Sequence, residues 1–226
     1  MATHLRDSTS IETIADVCDA IAAGLESDPA TSHLAGPWCR LTEKADGLAA
    51  EKRKLDRNSR RARARLAVAD ARWDSEVAAF GRAALDASAG NRSVPPYTRF
   101  FNKTTPSYAQ AIGYERELAL GRQWIAELQR EPEEPLAKTF LPRLEAATQA
   151  LQRAFDDRTA AVAAYEKHRT SVVLLVDAIN RELDVTEGEL LKLFPGQRAR
   201  VGSYLAATRP QREEKQPTPQ TPAEAD

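Results

Sequence analysis

The chain has 226 residues, enough for one ordinary domain or a tight pair around a buried core. Apolar residues make up 42% of it and charged residues 29%, with only 10 glycines, a profile of long helices rather than of sheets. The formal net charge of −1 excludes a global pull toward nucleic acid or an anionic membrane, so an electrostatic partner has to be met by a local patch.

The opening stretch, "MATHLRDSTSIETIAD", has no basic segment followed by an apolar run, so no signal peptide is expected. The longest apolar run, "SVVLLVDAI", falls far short of the ~20 residues that a membrane span needs. These features predict a cytoplasmic protein without a membrane span. Cys18 and Cys39 lack metal-ligand spacing and fit reduced, structural thiols.

Thr9-x-x-Glu12 is a capping box, and Ile11, Ile14, Cys18, Ile21 and Leu25 follow at helical spacing. A short helix is predicted over 9–26, ending before Asp28-Pro29. Pro37 sits where a helix likes to start, and a long helix is predicted over 37–87. Leu41, Leu48, Leu55, Ala62 and Ala69 form one column seven apart, and Ala45, Lys52, Ser59, Leu66, Trp73 and Phe80 a second. Sustained heptads of this kind specify a coil or bundle, with Lys52 and Ser59 weakening its middle.

The segment "SVPPYTRFFNKTTPSY" interrupts this helical pattern with prolines and four rings. An extended aromatic linker is predicted over 88–105, and a middle helix over 106–131, opened by Thr105-Pro106 and stopped by "EPEEP". The last long helix is predicted over 136–183, with Leu144, Leu151, Tyr165, Val172 and Ile179 in one column and Leu141, Phe155, Val162, Val176 and Leu183 in the other. Thr186-x-x-Glu189 is a second capping box, so two short helices are predicted over 186–207. The proline-rich stretch 209–226 has the composition of a disordered tail.

The middle helix is about half as long as its neighbours, which constrains the linker. An extended chain covers about 3.3 Å per residue, so the linker can travel ~50 Å back down the bundle before the middle helix climbs again. Tyr97, Phe100 and Phe101 would then fill the groove left by the shorter helix. The same rings, interleaved with basic residues, also suit a docking site for a protein partner. Tyr97, Arg99, Phe100, Phe101, Lys103 and Tyr108 are the candidates for it, and stacking on single-stranded nucleic acid is a third role.

The run "KRKLDRNSRRARAR" (52–65) holds eight basic residues and one acid. Arg53, Arg57 and Arg60 lie opposite the apolar seam, Lys54, Arg61 and Arg65 on one flank, and Lys52 and Arg63 on the other. A solvated helix exterior has this pattern, with Asp56–Arg60 as an i,i+4 pair. A second reading is electrostatic contact with an acidic neighbour helix, or with Glu127, Glu131, Glu133 and Glu134. The alternative is a phosphate-binding face made by Arg53, Arg57, Arg60, Arg61 and Arg63.

No enzyme motif is present. His4, His33 and His168 lack the Glu-x-x-His spacing of di-iron bundles, and there is no phosphate loop, nucleophile elbow or HExxH. No catalytic residue, metal or cofactor is therefore expected. The fold predicted is all-α, in one domain over 1–208: an elongated antiparallel helical bundle or coiled-coil hairpin with two helices of about 45–50 residues. A short N-terminal helix and a small C-terminal helical cap complete it. The function expected is that of a non-enzymatic scaffold or adaptor, binding protein partners and open to homo-oligomerisation. The alternative is nucleic-acid binding through 52–65 and 93–108.

Overall fold

The computed structural model describes residues 3–102 and 105–208. Among them every regular element is helical: α1 (Ile11–Glu26), α2 (Ala35–Ala87), α3 (Tyr97–Phe101), α4 (Pro106–Ala109), α5 (Tyr114–Arg130), α6 (Pro135–Leu193) and α7 (Arg198–Tyr204), with two short 3-10 turns. The chain is an all-α helical bundle. Its two long helices have 53 and 59 residues, longer than the columns alone suggested. The tail 209–226, predicted to be disordered, lies outside the described residues.

The described residues fall into two compact units, 3–51 with 168–208 and 52–102 with 105–167. α2 and α6 each contribute to both.

In the first unit, α1 buries the face that its spacing announced: Ile11, Ile14, Cys18, Ile21 and Leu25. Its N-cap is Ser10 rather than Thr9, and the Ser10 hydroxyl accepts from the Thr13 N–H at 3.1 Å. That face packs with Trp38, Ala45 and Ala49 of α2 and Leu175, Val176, Ile179 and Leu183 of α6. The Trp38 indole N–H donates to Thr186 Oγ1 at 3.0 Å, and the His168 ring donates to the Leu48 carbonyl at 2.9 Å.

The two short helices expected over 186–207 are not what forms. α6 continues unbroken to Leu193, and only α7 and a 3-10 turn follow. A capping side chain serves a helix start, where backbone N–H groups lack partners. Thr186 lies inside α6, and its hydroxyl accepts from Trp38 instead. α7 closes this unit with Val201 and Leu205 in the core. Asp28 holds it, accepting from the Tyr204 hydroxyl at 2.6 Å and from Arg200 at 2.8 Å.

In the second unit, where an extended linker was expected over 88–105, the described residues after α2 do not run extended over 88–102. The Ser88 hydroxyl donates to the Ala84 carbonyl and accepts from the Tyr97 N–H, folding the chain back into α3. The path then descends along α2. A Cβ at Gly81 would strike the Pro106 ring, and the Gln110 side-chain amide donates to the Asp74 carbonyl at 2.7 Å. The expected helix over 106–131 is broken between α4 and α5, because Gly113 takes a φ of 89°, a left-handed turn open to glycine. α5 then climbs back, as its predicted half-length required.

The rings of α3 meet those of the long helices in one aromatic core. Phe80 lies 4.9 Å from Phe100, 5.4 Å from Phe101, 5.9 Å from Trp124 and 5.4 Å from Phe140, ring centre to ring centre. α6 runs antiparallel to α2 here, with Arg143 on Glu76 at 2.7 Å and Arg65 near Asp157 at 3.6 Å.

Candidate functional site

Among the aromatic-segment candidates, Tyr97, Phe100 and Phe101 are all buried, between 3% and 5% exposed. A leucine-sized or larger ring in such a place contributes about 2–3 kcal/mol through burial, which is ample reason for the segment's composition. Arg99 is also committed internally. Its guanidinium donates to the Glu127 carbonyl at 2.7 Å and lies 3.1 Å from Glu131 and 3.4 Å from Glu134. The acidic residues first matched to the basic run of α2 are therefore engaged by α3 and by their own helices. Tyr108 keeps an exposed ring, at 58%. Lys103 lies outside the described residues.

The basic run has a different environment. Arg53, Arg57, Arg60, Arg61 and Arg63 are exposed, and none of them makes an ion pair among the described residues. The expected Asp56–Arg60 pair does not form. Exposed cations held apart like this lose little, since surface pairs contribute only ~0–1 kcal/mol.

The helix phase sorts these cations. Successive residues of an α-helix turn by about 100°, so residues three, four and seven apart share a face. On α2, Asp70 and Asp74 face α5, as their interactions with Glu117 show. Lys54, Arg57, Arg61, Arg65, Val68 and Arg72 lie on the opposite side of the helix and are exposed. On α6, Thr148 and Gln152 face α5, Thr148 beside Gly121 and Gln152 bonded to Arg122. Ala150, Arg153 and Asp157 lie opposite them.

These two opposite sides enclose a shallow groove of about 530 Å³ on the side of the α2–α6 pair away from α5. Ala64, Val68 and Ala69 line it from α2, and Ala150 and Ala154 from α6. Arg65, Arg72 and Arg153 stand around it with Asp157. Val68 is 56% exposed, an apolar side chain without cover among the described residues. Further along the same side of α6, Ala160 and Ala164 are exposed too. One wall of the groove thus carries Arg65 and Arg72, the end of a cationic stripe that runs back along α2 to Lys54, and the other carries Ala150 and Ala154 with Arg153 and Asp157.

The sequence singled out the charge run but missed the groove, whose signal was the phase of Val68 and Arg72 relative to Lys54 and Arg61. A third polar feature is internal. Asp70, Asp74 and Glu117 bring three carboxyls together, and burial with the Asp70 charge pushes Glu117 up to about 7. Among the described residues, no three His, Cys, Asp or Glu side chains are placed to hold a metal ion. No described helix is long and apolar enough to cross a membrane. No protein-family model, curated protein or solved structure matches the chain.

Proposed function

We propose that this chain is a non-enzymatic interaction protein, an adaptor or scaffold that receives protein partners on its helix faces. The observation that carries this is apolar side chains left uncovered on the long helices. Val68 and Val162 are 56% and 49% exposed in the second unit, and Leu174 and Val185 are 59% and 58% exposed in the first. Scattered exposed apolar residues are ordinary, but here they sit on the outer faces of helices whose inner faces are already packed. The aromatic segment contributes less to this surface than its composition suggested, because its rings serve the core.

The test is capture from native lysate with wild type and with Val68→Glu and Leu174→Glu variants of matched helicity by circular dichroism. Loss of a captured protein by either variant is the expected result. Equal capture by all three chains, or none by any, overturns the proposal.

A second reading is favoured by one observation, the unpaired exposed arginines of α2. Nucleic-acid binding through Arg53, Arg57, Arg60, Arg61 and Arg63 would show an affinity that drops steeply with salt, by about a factor of ten for each few phosphates engaged. Replacing Arg60, Arg61 and Arg63 with alanine would abolish it. Salt-insensitive or undetectable binding to oligonucleotides removes this reading.

A further inference from the structure

The groove on the side of the second unit away from α5 lies at one end of a longer cationic stripe on α2. It rests on the interaction reading and narrows it to one kind of partner. The stripe Lys54, Arg57, Arg61, Arg65 and Arg72 repeats at spacings of three, four, four and seven, with Val68 filling the interval. At 1.5 Å per residue that line extends about 27 Å, the length of a five-turn helix. Its floor is narrow and apolar, made of small side chains that let a helix approach closely.

We propose that this groove docks an acidic amphipathic helix of a protein partner, with its apolar side on Val68 and the alanine floor and its carboxylates along the Lys54–Arg72 stripe. Charge chooses the occupant. The one acid at the groove, Asp157, sits 3.6 Å from Arg65 in an exposed pair, so the stripe keeps a positive balance that a second copy of the same face would repel. Nucleic acid fits less well. No aromatic side chain lines the groove to stack a base, and its floor is apolar, with an acid, Asp157, on the α6 side where a phosphate backbone would be repelled. A partner helix with leucines at i, i+3, i+4 and i+7 and glutamates beside them satisfies the floor and the stripe at once.

The test uses the full chain and a designed, fluorescently labelled peptide of about 21 residues, helical, with a leucine stripe flanked by glutamates. Controls are a scrambled peptide of the same composition, the lysine-for-glutamate version, and an oligonucleotide of about 20 bases. Saturable binding of the designed peptide by anisotropy is expected. Val68→Glu and the double change Arg61→Glu/Arg65→Glu should each weaken it by at least about tenfold while helicity is unchanged. These positions are exposed, so the variants should fold.

Equal binding of the scrambled peptide overturns the proposal in favour of unspecific electrostatics. Tighter binding of the oligonucleotide, lost in the same variants, overturns it in favour of nucleic acid. A dimer dissociated by Val68→Glu overturns it in favour of a second copy. Absence of peptide binding also overturns it, and if lysate capture is still lost in Leu174→Glu, the interaction reading survives without the groove.

Discussion

The carboxyl of Glu117 on α5 faces that of Asp70 on α2 with no cation beside it among the described residues. One Glu117 oxygen accepts the Gly113 N–H at 3.2 Å, and the other finds no donor among the described residues. Glu117 is only 3% exposed. Burial first, then the charges of Asp70 and Asp74, raise it from the ordinary 4.5 to about 7. The protonated acid then donates to Asp70, which supplies the missing partner.

This pair makes stability fall as pH rises. The folded chain holds a proton that the unfolded chain releases near 4.5, so stability from Glu117 is complete below that value and is lost through about 7. The loss is on the order of 3 kcal/mol. Glu117→Gln, which cannot ionise, should flatten thermal melting midpoints measured between about pH 5 and pH 8 and raise the upper ones. An unchanged pH slope contradicts this.

At Gly121, α5 comes close to both long helices. A Cβ there would lie 2.7 Å from Thr148 Oγ1 and 3.2 Å from the Trp73 indole nitrogen. Gly121→Ala should cost about 1–3 kcal/mol through overpacking, despite alanine's better helix propensity. Thr148→Ala removes the obstructing atoms, so the double variant should recover most of the loss in a urea denaturation cycle. Additive losses would place the strain elsewhere.

The rings of α3 should behave as core. Phe101→Ala is expected to destabilise by about 3–5 kcal/mol and Phe100→Ala similarly. Tyr108→Ala, at an exposed position, should stay within about 0.5 kcal/mol of wild type. Urea unfolding midpoints decide between this and a surface role for Phe100 and Phe101.

How far such features were legible depended on distance along the helix. Leu66, Trp73 and Phe80, placed seven apart, are all buried, and so are Leu144 and Leu151. Heptad columns lose phase by about 20° per repeat against a straight helix. On α6 the drift shows: Val162, set in a core column, is 49% exposed, while His168 and Leu175, outside both columns, are buried. The descending path of the aromatic segment followed from the middle helix's length, but its compact form did not, because the Ser88 bonds that fold it are local and leave no periodic trace. Thr186-x-x-Glu189 misled for a related reason. A capping motif reads the same whether a helix begins there or a distant Trp38 uses the hydroxyl.

That hydroxyl gives a prediction for the first unit. Thr186→Val preserves the side-chain shape and removes the acceptor, leaving the fully buried Trp38 N–H unpaired. A loss of about 1–3 kcal/mol is expected in chemical denaturation. Trp38→Phe in the Thr186→Val background should cost less than the two single changes summed.

The central claim is that partners meet helix faces rather than the aromatic segment. Photo-crosslinking from a benzophenone side chain placed at 68, compared with one at 108, tests it most directly. Irradiation in living cells should give a protein adduct at 68 whose attached segment is acidic and amphipathic. An adduct at 108 with none at 68 would contradict the account.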